Sequence, residues 1–167
     1  MIRADYLRGV MAVYQGEVLG EGLFSRLAAL ATTDDRRRKF SHLLQLESEA
    51  KVRLRPLLAR LGLSIVEDET QRSAGLQLAE RLAEQPWDAL LATFLADIDG
   101  YIREYQAIAD AAPPEDREPL RFMVRHEHAL RGFIEQEMAG QPDASLRGIL
   151  PLLSYPLPPP AAGTGKS

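Results

Sequence analysis

"FSHLLQLESEAKVRLRPLLARL", residues 40–61, decides the fold. Phe40, Leu43, Glu47, Ala50, Leu54, Leu57 and Leu61 follow one another at alternating steps of three and four. That rhythm lines one face of an α-helix that packs against other helices. Thr32-Thr33-Asp34-Asp35, just upstream, offer capping side chains and acidic first-turn residues. Gly62 suits the C-terminal cap. Pro56 lies inside the pattern and is expected to kink or loosen it locally.

Working outward, the same rhythm recurs three times. A first helix, from about Ile2 to Ala31, carries Val10, Val13, Glu17, Gly20, Phe24, Leu27 and Ala31 in one row. Pro86 opens a third long helix ending near Ala112, with Trp87, Leu90, Phe94, Asp97, Tyr101, Glu104 and Ile108 in its row. Pro113-Pro114-Glu115-Asp116 begins a fourth, which ends before Gly140 and carries Leu120, Met123, Glu127, Leu130 and Ile134. Pro119 predicts an irregular first turn there. No strand pattern competes, so the class is all-α. Short links make each consecutive pair an antiparallel hairpin. The link from Leu61 to Pro86 is long enough to cross the bundle; it reads as loop over 63–73 and as a short helix over roughly 74–84. Two hairpins joined by one long crossover is the connectivity of ferritin-like four-helix bundles. The bundle is expected over 1–140. The segment 141–167, rich in proline, is expected to dock at its apolar start and to be mobile beyond.

Bulk properties exclude several functions. The chain has 167 residues, suited to one domain with a sizeable core. Net charge is −4, and the one basic run, Arg36 to Lys39, reads as a solvated first turn, so a nucleic-acid partner is not expected. There is no cysteine, which removes disulfides and thiolate metal sites. Neither a secretory leader nor ~18 uninterrupted apolar residues is present, so the expectation is a cytoplasmic protein without a membrane partner. "GTGKS" at 163–167 resembles the end of a phosphate loop, but it lacks the upstream glycine and the flanking strand and helix. Pro156 and Pro159 form a PxxP spacing of little weight in such a tail.

Each apolar row is broken near its middle by one carboxylate: Glu17, Glu47, Asp97 and Glu127. Glu17 and Glu47 are 30 residues apart, as are Asp97 and Glu127. A shift of 80 lays Tyr14 on Phe94, Glu17 on Asp97, Gly20 on Gly100 and Glu47 on Glu127, a faint repeat of a helical hairpin. Two such hairpins would aim four carboxylates at one place. Buried together, they need a pair of divalent cations, shared protons or basic partners.

The arrangement resembles the ferritin-like superfamily of di-iron carboxylate proteins, which includes rubrerythrins and bacterioferritins, over roughly residues 3–139. The resemblance implies that Glu17 and Asp97 stand where that family has single carboxylates. It implies that Glu47 and Glu127 stand on the Glu of its two Glu-x-x-His motifs. The histidine positions hold Ala50 and Leu130. His126 and His128 are one residue from Glu127, about 100° away on a helix, and with His42 they read as boundary or surface residues. Lys51 and Arg131 lie four residues beyond Glu47 and Glu127 and are expected to neutralise them if they turn inward. Tyr14, Glu21 and Tyr101 are candidate supporting residues around the carboxylates.

Two functions follow. The first is a bundle without catalytic metal, serving as an interaction or small-ligand-binding module, a dimer being one outcome. The alternative is a di-metal oxidoreductase, with iron or manganese held by Glu17, Glu47, Asp97 and Glu127. The cofactor is accordingly none, or a pair of divalent ions.

Overall fold

A computed structural model of the chain describes residues 3–158. The described residues form α1 (Arg3–Leu30), α2 (Asp34–Leu61), α3 (Glu69–Ala83), α4 (Trp87–Ala111) and α5 (Arg117–Met138), with short 3₁₀ turns before and after α5. The described residues are all-helical. Among them, no helix is long and apolar enough to cross a membrane.

Local chemistry sets the boundaries. Thr33 Oγ1 accepts from Arg36 N at 3.3 Å and starts α2. At the other end Gly62 takes the left-handed conformation at φ 71°, its N–H bonds to Ala59 O, and Leu63 N bonds to Leu58 O at 2.9 Å, which completes a Schellman cap. α2 runs through Pro56 as one helix. The crossover contains more helix than expected: α3 begins at Glu69, five residues before 74, because Asp68 Oδ1 caps it by accepting from Thr70 N at 2.8 Å. The irregularity expected from Pro119 lies just ahead of it, in the 3₁₀ turn Pro114–Asp116.

α1 packs on α2 and α3, α4 on α5, α2 on α5, and α1 on α4. α1 and α3 approach closely because both carry glycine at the crossing. A Cβ on Gly75 would stand 2.9 Å from Leu23 N and closer still to Leu19 O, and a Cβ on Gly22 would stand 2.6 Å from Arg72 O. These neighbours are backbone and cannot turn aside. Gly75→Ala is therefore expected to separate the helices and destabilise the protein by about 1–3 kcal/mol, as overpacking does. Chemical denaturation reads the loss.

The interior is two apolar clusters. One gathers Phe24, Leu27, Phe40, Leu43, Leu91 and Phe133, joined from beyond the last helix by Ile149 and Leu153. The other gathers Val10, Val13, Leu54, Leu58, Ile108 and Met123. Between them lies a layer of buried polar side chains. Past Leu153 the chain follows the outer face of α2: Ser154 N donates to Glu49 Oε2 at 2.6 Å and an Arg38 guanidinium nitrogen donates to Pro158 O at 2.6 Å. The expectation of mobility beyond this point, the PxxP pair at Pro159 and the terminal "GTGKS" fall on or run into residues outside those described.

The rows expected on α1, α2 and α5 are buried, including Glu17, Glu47 and Glu127, except at their ends, where Ala31 and Leu61 are half-buried. The row on α4 is corrected. Leu90, Leu91, Ile98, Tyr105, Ile108 and Ala109 are its buried residues, while Asp97 is exposed and Tyr101 is 44% exposed. The apolar residues of α4 support two neighbouring rows, and packing selects the one through Leu91, Ile98 and Tyr105, which are spaced by seven.

Candidate metal centre and cavity

The polar layer is built by three helices. Glu17 comes from α1, Glu47 from α2, and both His126 and Glu127 from α5; all four are buried. His126 stands in the middle. Its Nε2 lies 3.3 Å from Glu47 Oε1 and 3.5 Å from Glu17 Oε2. Its Nδ1 donates to Glu127 Oε1 at 3.2 Å. Tyr105 donates from its hydroxyl to the other Glu17 oxygen at 3.3 Å. Among the described residues neither His126 Nε2 nor Glu17 Oε2 has a hydrogen-bond partner, although both are shut away from solvent.

The electrostatics follow from this crowding. Burial pushes the Glu17 carboxyl well above its ordinary range, and Glu47 and Glu127 push the same way against His126. Burial alone would lower the imidazole of His126; Glu17 and Glu47 more than offset that, and it ends well above its usual value. Burial also raises Glu127, with His126 opposing. The Tyr105 hydroxyl is held far up by burial and then by Glu17.

Asp97 is not part of this layer. It borders a cavity of about 120 Å³ whose floor is Glu17, Glu47, Glu127 and Tyr105 and whose walls are mainly apolar. Tyr101 is at the same border, with its ring edge-on to Tyr105 at 6.3 Å between centroids. Gly16 and Gly20 keep the floor open: a Cβ on Gly20 would stand 2.7 Å from Glu47 Cδ, and one on Gly16 2.7 Å from the Tyr105 hydroxyl.

The other expected residues have different work. Lys51 is buried but does not meet Glu47; its ammonium pairs with Glu21 Oε2 and Glu67 Oε1, each at 2.6 Å. Ser48 and Arg72 also hold Glu21, at 2.6 and 2.9 Å. Tyr14 donates to Ile65 O at 2.8 Å. Tyr14, Glu21 and Lys51 thus tie the crossover to α1 and α2, because the incoming chain brings Glu67 and a free carbonyl to that seam. Arg131 turns outward to Asp99 and Glu135, at 3.0 Å each, where solvent lowers the cost of its charge. The basic side chain that faces Glu17, Glu47 and Glu127 is His126, not Lys51 or Arg131.

His126 was expected at a boundary and is at the centre. The signal lies in its own row: Phe122 and Leu130 flank it at four residues, and Phe133 follows at seven, all apolar and all buried. The buried arc of α5 is wide enough to hold both that row and the row of Glu127. His42 is buried elsewhere, its Nδ1 2.9 Å from Arg38 O, and His128 is exposed.

The atoms offered by Glu17, Glu47 and His126 lie within 4.8 Å of one another, a spacing one metal ion can bridge. Two carboxylates and an imidazole suit a divalent transition ion. Glu127 on Nδ1 is the orienting carboxylate that metal-bound histidines usually have. Comparison with protein-family models, curated proteins and solved structures finds no match to this chain.

Proposed function

We propose that the chain is a metal- and small-molecule-binding bundle of ferritin-like arrangement, with one divalent transition ion held by Glu17, Glu47 and His126 in the polar layer that borders the cavity. The observation that carries this reading is the buried, unpartnered pair of His126 Nε2 and Glu17 Oε2, 3.5 Å apart. Buried polar atoms normally have partners, and one left without costs about 1–3 kcal/mol. A cation between them would satisfy both at once. The helix order and the long crossover support the ferritin-like arrangement. The outward turn of Asp97 supports one ion rather than two. Glu127 and Tyr105 would steer His126 and Glu17 from behind, and the open side of the ion would face the cavity through Gly16 and Gly20. A bound ion of this kind supplies Lewis-acid or one-electron chemistry.

A second reading keeps the same residues without metal. A protonated His126 lies within 3.5 Å of Glu17, Glu47 and Glu127 and is itself a countercharge. Metal analysis of protein purified without a chelating column and then loaded with Mn²⁺, Co²⁺ or Zn²⁺ separates the two. About one retained ion per chain is expected, with thermal stabilisation near 2.7 kcal/mol at a hundredfold excess over Kd. Glu47→Gln and His126→Ala should abolish retention, and Asp97→Asn should leave it intact. Absence of retention and of stabilisation overturns the metal reading in favour of the second. About two ions per chain, with loss on Asp97→Asn, would restore the four-carboxylate pair.

A further inference from the structure

The cavity has a composition that selects its occupant. Its floor offers Glu17, Glu47 and Glu127, its border Asp97, and its remaining polar groups are the Tyr101 and Tyr105 hydroxyls; among the described residues no lysine, arginine or histidine lines it. Tyr105 already directs its proton to Glu17. A ligand reaching the floor therefore meets the carboxyl groups of Glu17, Glu47 and Glu127. The walls are apolar, among them Leu23, Phe24, Phe94, Ile98, Leu130 and Phe133.

Size narrows the choice. From Gly16 to Phe24 on α1 the slot follows eight residues, roughly 12 Å of helix axis. Its volume of about 120 Å³ is slightly below the ~150 Å³ apolar cavity that takes up benzene. A slender body of about six carbons fits; a long acyl chain does not.

We propose that the cavity binds a short, unbranched or monocyclic amine of about six carbons, its ammonium donating to Glu17 and Glu47 and its hydrocarbon body lying between α1, α4 and α5 toward Phe24 and Phe94. An ammonium has three donors and no acceptor, which matches a floor made of acceptors. A carboxylate of the same length would crowd a fourth acid against the three buried glutamates. The inference rests on the cavity of the proposed function and shares Glu17 and Glu47 with its ion, so hexylamine is expected to bind the metal-free protein and to be weakened by Mn²⁺, while each occupant can still fail alone.

The test titrates n-hexylamine, n-hexanol and hexanoate into the full chain, metal-free and Mn²⁺-loaded, followed by calorimetry and by chemical shifts of the wall methyls. Saturable hexylamine binding to the metal-free protein is expected, with hexanoate weaker by about tenfold or more. Phe94→Trp, at a partly exposed wall position, should fill the slot and weaken hexylamine by about tenfold while leaving metal retention unchanged. Leu78→Phe, on the α3 side, is the second filling variant should the first perturb folding. Equal binding of hexanoate and hexylamine would overturn the selection for a donor. No binding of any probe, or binding that both filling variants leave untouched, would overturn the site. Lost metal retention with intact amine binding would sink the ion alone.

Discussion

Replacing His126 by leucine is expected to cost the metal-free protein about 3–5 kcal/mol. The two side chains have similar volume, so little of that loss is packing. Without His126, the carboxyls of Glu17, Glu47 and Glu127 share a dry layer with no positive group among them. Lys51 is committed to Glu21 and Glu67, and Arg131 to Asp99 and Glu135. Neither can reach inward without abandoning its own partners. Urea unfolding measures the loss. Glu17→Gln in the same chain should recover part of it, since removing one acid relieves the charge that His126 balanced. A loss below about 1 kcal/mol would mean that the layer is neutral without the imidazole, and the electrostatic account would fall.

Acid is expected to stabilise the metal-free protein and to strip the metal-loaded one. Glu17 and Glu127 are raised above 4.5 and His126 above 6.5, so the folded chain holds protons that the unfolded chain has released. Stability follows the difference in bound protons, unfolded minus folded, which is negative here. These groups' contribution is complete below the unfolded values and fades as pH rises through the folded ones. The groups facing His126 are Glu17, Glu47 and Glu127, with Tyr105 behind Glu17. Metal reverses the trend. A divalent ion must displace the protons on Glu17 and on His126 Nε2, so its affinity should rise by up to about a hundredfold per pH unit while both are protonated. Calorimetry in buffers of different ionisation heat counts the protons, with about two expected per ion. Release of none would show that the ion binds elsewhere.

Much of this was legible in the sequence. The 3-4 rhythm of residues 40–61 is a helix whatever surrounds it, and the caps at Thr33 and Gly62 are local chemistry. Glu17, Glu47 and Glu127 interrupt rows whose other members are apolar, so their burial followed. Asp97 did not, because α4 offers two apolar rows about 100° apart and only packing against α1 and α5 chooses between them. The faint repeat carried α1 onto α4 and so carried the wrong face with it. His126 escaped for a related reason. A helix bordered on one side buries one row, whereas α5 is bordered by α2, α4 and the returning chain and buries two. The partners of Lys51 depend on where the crossover lies, and spacing along α2 holds no trace of that.

α1 has glycine at 9, 16, 20 and 22. An alanine in each place would favour the helix by up to about 1 kcal/mol. Selection for heat tolerance alone would tend to fill such positions, except Gly22, where Arg72 O leaves no room for a Cβ. At Gly16 and Gly20 the added methyl groups would press on Tyr105 and Glu47, and a hardier protein would be left with a blocked entrance to its own interior. Glycine, a poor helix former, is thus placed where endurance and capacity for a guest come into direct conflict.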